Sequence, residues 1–254
     1  MSIEQKFILT GDLNFMGLGD AKHIFERIRS ELCAADAVIS NLECCFFADE
    51  SKANNQSCTG HFYERSGQRE GFYAHPAAVK ALKSANITMV GNANNTNFGD
   101  EAIRSTISVL NDQQIAFSGV GTNWEEACKP ALKTIHGIRV GLIQRTSVYW
   151  PSNHEASAVH PGVATVKIHT AYSPKIDGYA SNRPGTPPDI FTWVDSKYLK
   201  DLVTQIQKLK ESTDILIASF HWGYKEEILD YMREIAYAAI DAGADIILGY
   251  GPHM

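Results

Sequence analysis

A series of polar side chains stands just beyond apolar, strand-like runs: Asp12, Glu43, the adjacent Asn94 and Asn95, His221 and His253. Each follows its run by no more than a few residues, where a site built from distant segments draws its groups. Carboxylate, amide oxygen and imidazole together suit a borderline divalent cation such as Mn, Fe or Zn, and ligand type alone does not choose among these. Taken singly, Asp12 or Asn95 reads more readily as a cap of a turn or helix. Taken together at corresponding strand ends, the set favours cation binding, with His221, just before Trp222-Gly223, as its strongest member.

Other residues divide between chemistry and packing. Arg145 comes just after the apolar run ending at Ile143. Its planar guanidinium suits bidentate binding of a substrate phosphate or carboxylate, and a structural ion pair fits the sequence equally well. His75 is either a substrate contact or a satisfied turn residue, the latter favoured. Tyr149-Trp150-Pro151, His154, His160, His169 and Arg183 lie in 144–195, read as a surface excursion that forms a specificity lid or simply packs. His154 and His160 lack a short zinc spacing. Gly119-Val120-Gly121 lacks the Lys-Ser/Thr of a nucleotide loop, and Ser219 lacks a nucleophile-elbow context, so neither ATP binding nor serine hydrolysis has support.

The elements that must hold these groups alternate along the chain. Period and turn residues predict strands at 6–10, 37–40, 87–90, 138–143, 214–220 and 245–249, and helices at 21–32, 76–85, 100–113, 196–210 and 227–242. That alternation is the α/β class, in which ligand groups collect where strands end. With 254 residues, 44% hydrophobic, and glycine and proline dispersed rather than gathered in a linker, 1–254 reads as one domain. A formal charge of -6 argues against nucleic acid, which requires clustered Lys and Arg. The opening Met1-Ser2-Ile3-Glu4-Gln5-Lys6 has no export signal, and no apolar run reaches about 18 residues, so a soluble, cytoplasmic chain without a membrane span is expected. Cys33, Cys44, Cys45, Cys58 and Cys128 form an odd set, read as reduced, partly buried thiols.

In order along the chain, these segments resemble the CapA family, linked to capsule and poly-γ-glutamate synthesis, of the calcineurin-like metallophosphoesterase superfamily. The similarity runs through Gly11-Asp12-Leu13-Asn14-Phe15-Met16-Gly17, Asn41-Leu42-Glu43, Phe72-Tyr73-Ala74-His75-Pro76, Ala93-Asn94-Asn95 and Gly99-Asp100-Glu101. It continues in Ser219-Phe220-His221-Trp222-Gly223, Ile240-Asp241-Ala242-Gly243-Ala244-Asp245 and, less completely, Gly249-Tyr250-Gly251-Pro252-His253. The resemblance implies a layered α/β/β/α metallophosphoesterase-like sandwich with two divalent metal ions between the sheet ends. The implied reaction is hydrolysis of a phosphoester or an anionic substrate, small or polymeric, γ-glutamyl compounds included. Carried over, Asp12 binds the first ion, Glu43 bridges, Asn95 and His221 bind the second, and His253 returns to the first.

The departures from that pattern concern catalysis. Thr96 occupies the position after the paired asparagines where the family carries a proton-donating His; a register anchored on Phe98-Gly99 puts Asn94 there instead. Tyr250 and Gly251 stand beside Pro252-His253, where the family has further His. These changes keep open a catalytically altered binding or scaffolding protein, with amide-bond chemistry a more distant reading. The family pattern also continues past the position of Met254, which predicts a sandwich lacking its C-terminal strands and associating with a missing segment or another chain.

Overall fold

Two hydrophobic faces on one strand require two partners, and β-branched and apolar residues here are buried on both faces of several parallel strands. The computed structural model describes residues 4–16, 18, 21, 23–48, 73–151, 154–175 and 185–252. Along the chain come β1 (Phe7–Leu13), α1 (Arg29–Cys33), β2 (Ala37–Leu42), β3 (Cys45–Phe46) and β4 (Tyr73–Ala74). After a 3-10 turn at Pro76–Ala78 follow α2 (Val79–Ser84), β5 (Ile87–Gly91), α3 (Asp100–Asp112), β6 (Ala116–Ser118), β7 (Val120–Gly121) and α4 (Trp124–Ala127). Next are β8 (Ala131–Ile135), β9 (Ile138–Thr146), β10 (Gly162–Val163), β11 (Ile168–Ser173) and β12 (Asp189–Val194). The described chain closes with α5 (Ser196–Lys210), β13 (Ile215–His221), α6 (Asp230–Asp241) and β14 (Ile246–Tyr250).

One sheet has the order β1-β2-β5-β6, every pair parallel; the other has the order β14-β13-β9-β8, with only β8 antiparallel to its neighbour. Alternation along β2 sends Ala37 and Ile39 into a cluster with Met89, Val140, Leu142 and Ile217 from both sheets. Val38 and Leu42 turn the other way, against Leu82 of α2 and Leu110 of α3. On β13, Leu216, Ala218 and Phe220 pack on Leu202 and Ile206 of α5 and Ile235 of α6. The layers therefore run helices, sheet, sheet, helices, with an apolar seam between the sheets. Each large side chain buried in that seam contributes about 1.5–3 kcal/mol.

Local chemistry explains the helices that do form. Asp195 caps α5 by accepting from the backbone N–H groups of Lys197 and Tyr198 at 3.0 and 3.4 Å, and Lys208 and Lys210 complement its C-terminal dipole. Asp100 and Glu101 do the same for the start of α3. The helix expected over 21–32 is instead a set of turns at 23–28 followed by α1. Its apolar stripe has too little to pack on: Phe25 and Leu32 are buried, whereas Ile24 and Ile28 are 43% and 50% exposed, and no side chain caps α1. β9 continues to Thr146, three positions beyond the expected end at 143, because β13 pairs with it through Thr146↔His221. Residues 144–146 thus belong to the sheet, and the excursion after them carries the antiparallel pair β11–β12 against α6.

Cys44, Cys45 and Cys128 are buried free thiols and Cys33 an exposed one, while Cys58 lies outside the described residues. Burial pushes the Cys45 thiol up to about 12, which keeps it protonated and unreactive. Among the described residues, no helix is long and apolar enough to cross a membrane.

Candidate metal centre

A bulge in β1 decides where Asp12 points. Leu9 pairs with Ile39 but Asp12 pairs with Asn41, so β1 spends one residue more than β2 between those pairs. An extra residue inverts the alternation, and Asp12 lands on the face shared by Ile39 and Asn41, toward the second sheet. Asn41 Nδ2 donates to Asp12 Oδ1 at 2.7 Å. Glu43 follows β2 directly; its backbone N–H donates to the Leu13 carbonyl at 2.8 Å, which ties the carboxylate to the end of β1.

His221 comes from the opposite sheet, as the last residue of β13. Its neighbours Phe220 and Trp222 face the helices with rings stacked 4.8 Å apart, leaving the imidazole between them to face the seam. His221 Nε2 lies 3.0 Å from Glu43 Oε1, with only 3% and 9% of the two side chains exposed. His221 Nδ1 is buried without a hydrogen-bond partner. One ligand atom from each of Asp12, Glu43 and His221 lies within 4.8 Å of the others. A cation with bonds of about 2.0–2.2 Å holds donors up to about 4.4 Å apart, so these atoms stand close to a binding geometry. Two carboxylates and an imidazole, one imidazole nitrogen lacking a protein partner, fit a divalent cation.

Two further residues shape the rim. Gly251, at φ +103°, presses so closely on His221 that a Cβ there would lie 3.0 Å from Nε2. Tyr250 pairs with His221 in register, and burial, then the nearby charge of Asp12, pushes its phenol up and keeps it protonated.

The other expected site residues take different places. Asn95 is exposed on the turn after β5. Asn94 is wholly buried with both amide ends occupied: Nδ2 donates to the Leu42 carbonyl at 2.8 Å, and Oδ1 accepts from Thr96 N and Thr96 Oγ1 at 3.1 and 2.8 Å. Asn92 and Asn97 also donate to that carbonyl, at 3.1 and 2.9 Å, so these asparagines anchor the peptide leading into Glu43. Thr96 is 5% exposed, its hydroxyl spent on Asn94 and Asn97. His75 caps the 3-10 turn by accepting from Ala77 N at 3.1 Å, the satisfied turn role.

Arg145 does not join the carboxylates. Inside β9 it alternates with Gln144, so its guanidinium turns under α5, donating to Gln205 and to the Gln144 carbonyl at 2.8 Å, with 2% exposure. The substrate-facing reading of Arg145 rested on the strand ending at 143, and the longer strand reverses it. His253 lies outside the described residues. Sequence reading passed over Asn41 and Gln144 as contributors, although a polar residue inside a fully buried strand is itself a signal.

The sequence profile described as "Bacterial capsule synthesis protein PGA_cap" matches residues 5–254. The chain belongs to that family. The chain is 23% identical over 240 residues to "Capsule biosynthesis protein CapA" of Bacillus anthracis, covering 91% of this chain and 48% of that protein. It is 25% identical over 236 residues to "PGA biosynthesis protein CapA" of Bacillus subtilis (strain 168), covering 89% of this chain and 53% of that one. "Uncharacterized protein y4sH" of Sinorhizobium fredii (strain NBRC 101917 / NGR234) is 26% identical over 269 residues, covering 90% and 56%. This PGA_cap chain therefore spans about half the length of the relatives it matches.

Proposed function

We propose that this PGA_cap chain is a metal-dependent hydrolase of metallophosphoesterase type, acting on a phosphoester or other anionic substrate in capsule, poly-γ-glutamate or related biosynthesis. The observation that carries the reading is the approach of Asp12, Glu43 and His221, from both sheets, to within 4.8 Å of one another. The helix-sheet-sheet-helix layering is the arrangement that such a hydrolase uses to bring strand ends together. When bound, a divalent cation supplies Lewis acidity and a water nucleophile at neutral pH. The chain's own contribution is positional: Asn41 holds the Asp12 carboxylate, the Leu13 carbonyl holds the peptide of Glu43, and β13 delivers His221. Asp12 is the exposed member of the three, and Glu43 and His221 are buried. By the family assignment, Asn95 would join His221 and the bridging Glu43 around a second cation, and His253 would complete the first.

A binding protein without turnover is the second reading, favoured by one observation. Thr96, at the position where the family donates a proton, is buried and already donates to Asn94. Chelator-free protein assayed for Mn, Fe and Zn content and for hydrolysis of a generic aryl phosphate separates the two. Stoichiometric metal with turnover supports the hydrolase; metal without turnover supports the binder; none of the three metals overturns both.

A further inference from the structure

Beside the cation site lies a wholly buried amide that is not one of its ligands, carried by the strand next to β13. Gln144 of β9, at 0% exposure, accepts at Oε1 from the backbone N–H of Ala93 at 2.6 Å. A backbone N–H can only donate, so this contact settles which end of the amide is oxygen. Gln144 Nε2 consequently faces the seam, donating to Asn41 Oδ1 at 2.9 Å and to Ser219 Oγ at 3.2 Å. Asn94 Nδ2 adds a longer donation to the same Asn41 oxygen at 3.5 Å. With Oδ1 turned toward these donors, Asn41 must present Nδ2 to Asp12, and it does so at 2.7 Å.

Room for the Gln144 amide comes from glycines at the end of β5 and just beyond β6. A Cβ on Gly91 would fall 2.3 Å from Gln144 Cδ, and one on Gly119 would fall 3.1 Å from Gln144 Oε1. Ser219, the other acceptor, precedes His221 by two residues on the same face of β13. One amide thereby touches the residue that orients Asp12 and the strand that delivers His221.

We infer that Gln144 is a positioning residue for the cation site, a backbone-fixed amide relay that orients the Asp12 carboxylate and sets its spacing from His221. This rests on the cation-site reading above. Ionised, Gln144→Glu keeps shape and the Ala93 contact but has no proton to donate to Asn41, freeing Asn41 to turn its oxygen on Asp12; Gln144→Met removes the donor in either protonation state. Buried partners behind a ligand typically change metal affinity 10–100-fold.

The test is Mn titration of the whole chain by calorimetry, with Mn electron paramagnetic resonance as a geometric readout. Gln144→Glu is expected to bind Mn at least about ten-fold more weakly, with altered zero-field splitting and an unchanged circular dichroism spectrum. Asn41→Leu should weaken binding similarly, and the double variant should be no worse than the poorer single one. Should Gln144→Glu not fold, Gln144→Met, apolar and of similar volume, takes its place with the same expected loss. Wild-type affinity and spectrum in a folded Gln144 variant, while His221→Ala abolishes binding, overturns the relay and leaves the site intact. Failure of the wild-type chain to bind Mn overturns the site and the relay with it.

Discussion

Glu43 and His221, 178 positions apart in the chain, meet with Oε1 3.0 Å from Nε2 where the two sheets face each other. Neither residue belongs to the other's sheet, so their contact exists only when the apolar seam is closed. The contact couples site assembly to folding of the whole layered domain.

His221 is expected to dominate cation affinity. His221→Ala should lower Mn affinity by more than about ten-fold, since a three-donor site loses its imidazole. Calorimetric titration of variant and wild type, both purified without chelators, checks this; equal affinities would reject His221 as a ligand.

Gly251 should tolerate no side chain. At φ +103° an L-residue is strained by about 1–3 kcal/mol. The added Cβ of Gly251→Ala also drives into His221 Nε2. A lower thermal midpoint together with weaker Mn binding is the expected outcome, and a wild-type melt with wild-type affinity would contradict it.

Thr96 separates structure from chemistry. Thr96→Val removes the hydroxyl that donates to Asn94 Oδ1 and should cost about 1–2 kcal/mol in urea unfolding. Because the hydroxyl faces Asn94 and Asn97, aryl phosphate turnover, if present in wild type, should be unchanged. A selective loss of turnover would return Thr96 to the chemistry.

Acid should weaken one surface link between strands. Arg139 donates to Asp214 at 2.7 Å and holds its carboxyl down at about 2, from an ordinary 3.8. The folded value is depressed, so the stabilisation is complete above the unfolded value and is lost as pH falls through 3.8 toward about 2. The pair is exposed, so the effect is small and screened by salt. Urea midpoints of wild type and Asp214→Asn should differ more at neutral pH than at the acid end of that window, and a pH-independent difference would refute the linkage.

Much of this arrangement could be read before folding. The helix Ser196–Lys210 carries its cap, charges and apolar spacing in adjacent residues, and Asp100–Asp112 its first-turn charges and apolar spacing. The failed helix at 21–32 had the spacing but not the partner surface, and Ile24 and Ile28 stayed in water. Asp12, Glu43 and His221 were legible because a polar residue ending an apolar run is a local pattern. Asn94 and Thr96 were legible as polar but not in role, since their hydrogen bonds run to the Leu42 carbonyl and to one another.

The sequence by itself determined the α/β alternation, the family and the strand ends at which polar chemistry collects, because periodicity, turn residues and motif order act over short stretches of chain. Tertiary structure alone decided which of those side chains meet. A single extra residue in β1 turns Asp12 toward the second sheet, and three further pairs of β9 turn Arg145 under α5 while Gln144 reaches Asn41. A one-residue change of register moves a side chain to the opposite face of a sheet, and that register is set by the packing of one sheet against the other.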